Sequence, residues 1–173
     1  MPKLGSEKFG AMRHSHVVLD TSFLIRLMNA DDVDHTNTRR LFDYFLQHSD
    51  RISISTIVAA EYGIGMPIDT LPLALPTVTV TPFNLIHAAK AARCAKATFD
   101  ARRKGSIEVD QRVVIPNDTK ILAQAAVERV DLICARDKNM KQVHTFLRGE
   151  GLLTFDYLDL RTSLSTFTGT FDF

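Results

Sequence analysis

His16-Val17-Val18-Leu19-Asp20-Thr21-Ser22 is a short apolar run of β type that stops abruptly at an acid. Leu24, Ile25, Leu27 and Met28 follow at spacings that suit a helix. The stretch therefore predicts a strand over 15–19 and a helix from Thr21 to about Asn29, with Asp20 at the junction. In open α/β sheets, the carboxyl ends of strands are where ligands bind. Taken alone, an Asp in this position more often closes a turn or caps a helix, so its meaning depends on the rest of the chain.

Working outward, strand and helix patterns alternate. An acidic stretch, Asp31-Asp32-Val33-Asp34, opens a second helix lasting to about His48, with Leu41, Phe42, Phe45 and Leu46 as its apolar stripe. Arg51–Ile54 alternates at period two and predicts a strand. Ser55 or Thr56 caps the helix that carries Glu61, and Gly63, Gly65 and Pro67 end it. Val78–Val80 predicts a short strand. Thr81-Pro82 reads as a cap and first turn for a long Ala-rich helix that ends at Arg102-Arg103-Lys104-Gly105. Asn117-Asp118 reads as the opening of a helix with Ile121, Leu122, Ala125 and Ala126. Leu132-Ile133-Cys134-Ala135 is a continuous apolar run, as in a strand covered on both faces. It leads to Arg136-Asp137 and a helix from Lys138 to about Leu147, closed by Gly149. Leu152–Phe155 reads as the last strand. This order predicts an α/β fold: a parallel sheet with helices on both faces and right-handed crossovers.

The 173 residues suit one domain with a sizeable core. Residues 1–14 read as a flexible N-terminal extension, in which Met12 is a second candidate start. The folded domain is expected over 15–155 and a C-terminal tail over 156–173. In that tail Phe167, Phe171 and Phe173 share one face of an extended segment that packs on the domain or on a partner. A net charge of +1 excludes a globally polycationic binder, so any nucleic-acid affinity must come from a local basic patch. The two cysteines, Cys94 and Cys134, each sit in apolar sequence and read as buried thiols of a reducing cytoplasm. No apolar run is long enough to span a bilayer, and a soluble cytoplasmic protein is expected.

The acids fall in a telling pattern. Asp20 and Asp137 both follow apolar strands, Asp118 opens a helix, and Glu61 lies early in the helix after the second strand. Four separate elements thus deliver carboxylates towards one end of the sheet. Gathered carboxylates repel one another unless cations sit among them or one acid is protonated. All-oxygen donors suit hard ions such as Mg²⁺ or Mn²⁺, which can drive phosphodiester cleavage.

Four pieces taken in order carry a family resemblance. They are Val17-Val18-Leu19-Asp20-Thr21-Ser22, Ala59-Ala60-Glu61-Tyr62, Pro116-Asn117-Asp118-Thr119-Lys120-Ile121-Leu122-Ala123 and Ala135-Arg136-Asp137-Lys138-Asn139-Met140. With them the chain resembles PIN-domain ribonucleases of the bacterial toxin type, the VapC-like toxins of toxin–antitoxin pairs. The resemblance implies a three-layer α/β/α fold around about five parallel strands and Mg²⁺- or Mn²⁺-dependent RNA cleavage. Asp20, Glu61, Asp118 and Asp137 would be the catalytic, metal-holding acids, and Thr21 or Ser22 would orient a carboxylate or bound water. It also implies a small antitoxin partner and a homodimer. Asn139 stands where the family usually has an acid.

Other residues complete the expectations. Arg102, Arg103, Lys104 and Arg112 could contact RNA phosphates, as could Arg136 and Lys138 beside Asp137. Each also has a plain reading as a favourable helix-end charge. His14 and His16 have a spacing that could bind metal on a strand, but read better as a mobile tail or sheet edge. Two other functions fit parts of the pattern: a non-catalytic PIN-like RNA- or protein-binding module, and a PIN nuclease of RNA processing rather than a toxin. A phosphotransferase using Asp20 as nucleophile would want a second Asp where Ser22 stands.

Overall fold

The computed structural model describes residues 14–108 and 114–169. The expected N-terminal extension (except His14), Arg112, Phe171 and Phe173 lie outside the described residues. Five strands form the sheet: β1 (His16–Leu19), β2 (Arg51–Ser55), β3 (Val78–Thr81), β4 (Leu132–Ala135) and β5 (Asp156–Asp159). All pair in parallel, in the order β3-β2-β1-β4-β5. Central β1 is flanked on both sides, Leu19 lying opposite Ile54 on β2 and Cys134 on β4. That double burial explains why the stretch before Asp20 is uninterrupted apolar sequence.

The helices are α1 (Thr21–Met28), α2 (His35–His48), α3 (Thr56–Gly65), α4 (Leu85–Arg103), α5 (Val114–Val127), α6 (Lys138–Gly149) and α7 (Leu164–Thr168). Right-handed crossovers place α1, α2 and α3 on one face and α4, α5 and α6 on the other. The packing agrees, with α1 against α2 and α3, and α5 against α4 and α6. The result is the three-layer α/β/α architecture. Leu19, Phe23, Leu24, Phe45, Ile52, Ile54, Leu122 and Leu132 are among the fully buried side chains. Cys94 and Cys134 are unpaired and buried in the same core. Among the described residues, no helix is long and apolar enough to cross a membrane.

Several expectations are corrected. The last strand is Asp156–Asp159, not Leu152–Phe155, so the sheet runs past the boundary expected at 155. Leu153 and Phe155 are buried from a connecting segment, whereas β5 is an edge strand that buries only Leu158 fully. An apolar run is a poor guide to an edge strand, which needs alternation alone. Phe167 belongs to helix α7 rather than an extended segment, and its ring meets Tyr44, Phe45 and His14. Asp31, Asp32 and Asp34 precede α2 and do not form its first turn. The turn after α6 is made by Gly151, at φ +70°, and Gly149 is still helical.

Asp118 does not open its helix. α5 begins at Val114 and takes Pro116 into its first turn, where a missing N–H costs nothing. α5 also follows another helix rather than a strand. α4 and α5 run antiparallel, the start of α4 meeting the end of α5 where His87 Nε2 lies 3.1 Å from Glu128 Oε1. α5 therefore begins at the carboxyl edge of the sheet because it must feed β4 from the opposite edge.

Thr81 is drawn into β3 opposite Ser55, so α4 starts at Asn84 instead. The Asn84 side chain accepts from Ile86 and His87 N–H groups, while His87 Nδ1 accepts from the Asn84 N–H, a reciprocal capping box. Asn84→Ala should cost about 1 kcal/mol, lowering the thermal midpoint by about 2–4 °C for a chain of this size. Thermal unfolding followed by circular dichroism measures it, and an unchanged midpoint would count against the cap.

Candidate active site at the carboxyl edge of the sheet

The strand order reverses between β1 and β4, and in open α/β sheets that crevice is the ligand position. Asp20 and Asp137 follow these two strands. The Asp20 N–H donates to the Cys134 carbonyl at 3.1 Å, which ties the two strand ends together. Asp20 is the N-cap of α1. Its Oδ2 accepts from the Ser22 N–H at 3.0 Å and from Ser22 Oγ at 2.6 Å. Ser22 Oγ in turn accepts the Arg136 N–H at 2.8 Å. Ser22 thus joins the first acid to the segment leading to the last one.

Glu61 enters from α3, half-buried, with both oxygens held. Thr21 Oγ1 donates to Oε2 at 2.6 Å and Asn117 Nδ2 donates to Oε1 at 2.9 Å. Asp137 caps α6, its Oδ1 accepting from the Asn139 and Met140 N–H groups at 2.7 and 2.9 Å. Tyr157 on β5 donates its hydroxyl to the Asp137 carbonyl at 2.9 Å.

Asp118 differs from the others. It is buried, and its Oδ2 is shielded from solvent with no hydrogen-bond partner. Burial, then the charges of Asp137, Asp20 and Glu61, push its carboxyl up to about 8. The charges of the other three acids are thus all felt at Asp118. Asp20 is also raised, by burial first and against the bonds from Ser22, with Glu61 adding to the rise. The Tyr157 hydroxyl is held well above its usual range by burial and by the charges of Asp20, Asp137 and Asp159.

A buried carboxylate oxygen with no partner, among three further acids, suits a hard cation in kind and charge. Among the described residues, however, no three Asp, Glu, His or Cys side chains are arranged to close on one ion. The oxygens bonded to Ser22, Thr21, Asn117 and the α6 N–H groups are already turned towards protein donors.

The expected basic residues divide. The Arg136 guanidinium pairs with Asp34, which also receives Arg26 Nε at 3.4 Å. Arg103 pairs with Asp100 within its own helix. Lys104 is the C-cap of α4, two residues after Arg102, and this end of the helix points to the same sheet edge as the acids. Lys138 is exposed and, with Lys141, lines a cleft of about 640 Å³ against Ser106, Ile107 and Glu108. His14 and His16 do not form a metal pair. His16 sits in central β1, buried, with Nε2 2.7 Å from Ser53 Oγ, and burial lowers its pKa. His14 stacks on Phe167. Sequence reasoning missed Asn117, Asp34 and Tyr157 as partners of the site. Adjacency to Asp118 was the one signal for Asn117, and none pointed to the other two.

Comparison with known proteins agrees with this architecture. The family model described as PIN domain matches residues 17–145. Three solved structures are similar in fold. FitAcB from Neisseria gonorrhoeae has a TM-score of 0.56 at 16% identity, covering 84% of this chain and 98% of its own. VapBC2 from Rickettsia felis, bound to a DNA fragment from their promoter, gives 0.54 at 16% identity over 83% and 99%. VapC20 of Mycobacterium tuberculosis, described as a Sarcin-Ricin loop cleaving toxin, gives 0.51 at 19% over 72% and 92%. No curated protein sequence matches this chain significantly. The match of the family model over most of the chain, on a five-stranded parallel sheet with four acids at its carboxyl edge, means that this protein belongs to the PIN domain family.

Proposed function

We propose that the protein is a Mg²⁺- or Mn²⁺-dependent endoribonuclease and the toxin half of a toxin–antitoxin pair, acting in the cytoplasm. The observation that carries this reading is Asp118, a buried carboxyl with an unpartnered oxygen whose ionisation is opposed by Asp137, Asp20 and Glu61. Such a group is tolerable in ionised form only beside a cation. Asp20, Glu61, Asp118 and Asp137 would hold the ion. Bound Mg²⁺ or Mn²⁺ would supply an activated water and offset charge gathering on the phosphate.

The chain's own residues prepare the site. Ser22 fixes Asp20, and Thr21 fixes Glu61. Lys138, exposed one residue from Asp137, is suited to draw an RNA backbone towards the acids. The Arg102–Lys104 end of α4 lies towards the same edge and would add to that field. Arg136, paired with Asp34, serves better to hold the loop before α2 than to bind phosphate. A small antitoxin partner is supported by the VapBC and FitAB complexes among the structural neighbours, and a homodimer is proposed on the family resemblance alone.

The test is RNA cleavage by purified protein with Mn²⁺, with Mg²⁺ and with chelator. Cleavage should require the metal, and Asp20→Asn should reduce it at least about 100-fold while circular dichroism stays that of the wild type. Intact RNA under every metal condition would sink the reading. The open arrangement of the acids favours one alternative, a non-catalytic PIN-like module that holds RNA or protein. It predicts RNA or protein binding with no Mn²⁺ uptake by calorimetry.

A further inference from the structure

We infer that Asn117 is a positioning residue that sets the Glu61 carboxylate for metal binding, an inference resting on the metal-dependent reading above. Glu61 stands on α3, on the opposite face of the sheet from α5, so nothing in its own helix fixes its side chain. Two neutral donors do, one on each oxygen: Thr21 Oγ1 at 2.6 Å from α1 and Asn117 Nδ2 at 2.9 Å from α5.

The placement of Asn117 follows from the start of α5. Because that helix begins at Val114, Asn117 lies in its first turn and its side chain reaches Glu61 rather than capping the helix. The next residue, Asp118, carries the unpartnered buried oxygen. One helical turn therefore delivers a carboxylate and also aims a second one arriving from across the sheet. A neutral amide suits this task. A Lys or Arg at the same point would hold Glu61 equally well, but would compete with a cation for the acids. An amide donor orients a carboxylate while leaving its charge in place. Without Asn117, Glu61 keeps only Thr21 among its described donors and is free to turn about that bond.

Asn117→Leu keeps the γ-branched side-chain shape, favours the helix and removes the donor. The expected result is Mn²⁺ affinity, measured by calorimetry without substrate, weaker by about tenfold, the scale of a hydrogen bond to a charged group. The kcat for RNA should fall by a similar factor, with KM for RNA within about twofold. Asn117→Gln, which retains an amide, should recover part of the loss. The decisive comparison is made on a Glu61→Ala background, where Asn117→Leu should weaken Mn²⁺ binding no further, because the two residues act as one unit. A purely structural role would instead lower the thermal midpoint and add fully to Glu61→Ala. Wild-type Mn²⁺ affinity in Asn117→Leu, or full additivity, would overturn this inference and leave the nuclease reading standing. Absence of Mn²⁺ binding by the wild type would overturn both.

Discussion

Asp118→Asn is expected to cut RNA cleavage severely and yet make the metal-free protein harder to unfold in mildly alkaline buffer. The side chain is buried, lacks a partner on Oδ2, and feels the charges of Asp137, Asp20 and Glu61, which together raise its carboxyl to about 8. In the unfolded chain the same group ionises in the ordinary carboxylate range, near about 4. Between those values the folded state holds a proton that the unfolded state has released. Stability from this group is therefore fully present below about pH 4 and is lost as pH rises to about 8. The amide has no such slope. The difference between variant and wild type should grow from pH 5 to pH 8 and then level off. A gain of about 2 kcal/mol would raise the midpoint by about 4–8 °C. Adding Mn²⁺ should raise the wild-type midpoint and leave the variant unmoved. Cleavage should fall by about 10²–10³-fold or more. A midpoint difference that does not vary with pH would refute the burial argument, and wild-type cleavage by Asp118→Asn would refute the catalytic one.

Phe23→Ala should be the most damaging single substitution near the site that touches none of the acids. Phe23 is fully buried on α1, its ring 6.3 Å from that of Phe42 on α2. Removing a buried Phe side chain costs about 3–5 kcal/mol, or roughly 6–20 °C in thermal midpoint. The consequence for function follows from position. α1 carries Thr21 and Ser22, which hold Glu61 and Asp20. A loosened α1 should lower kcat even at temperatures where the variant remains folded, because these donors lose their fixed geometry. Thermal unfolding and single-turnover cleavage at 15 °C measure the two effects. A midpoint within about 3 °C of wild type would mean that the cavity collapses without strain.

Local patterns read well where burial is double-sided or the helix is amphipathic. β1, β4 and α6 fall close to their expected places because a strand covered on both faces is a continuous apolar run and a capped helix announces its start. They read poorly where tertiary partners decide. Thr81 could cap a helix or extend β3, and only the neighbouring Ser55 settles it. Asn117-Asp118 reads as a helix start, but α5 begins earlier and takes Pro116 into its first turn. β5 needs a partner strand to exist at all, and Leu153 and Phe155 imitate one because the core also accepts apolar side chains from a connecting segment.

By itself the sequence determined the alternation of strands and helices, and with it the parallel sheet and the placing of Asp20 and Asp137 at element ends, since these depend on short-range periodicity and end signals. Tertiary structure alone decided which oxygen meets which donor: Ser22 and Thr21 with Asp20 and Glu61, Asn117 across the sheet, Arg136 drawn to Asp34, and Asp118 left without a partner. Apart from the Ser22–Asp20 cap, which is local, those pairings join residues tens of positions apart, and no local spacing encodes a contact that only the packing of separate helices against one sheet brings about.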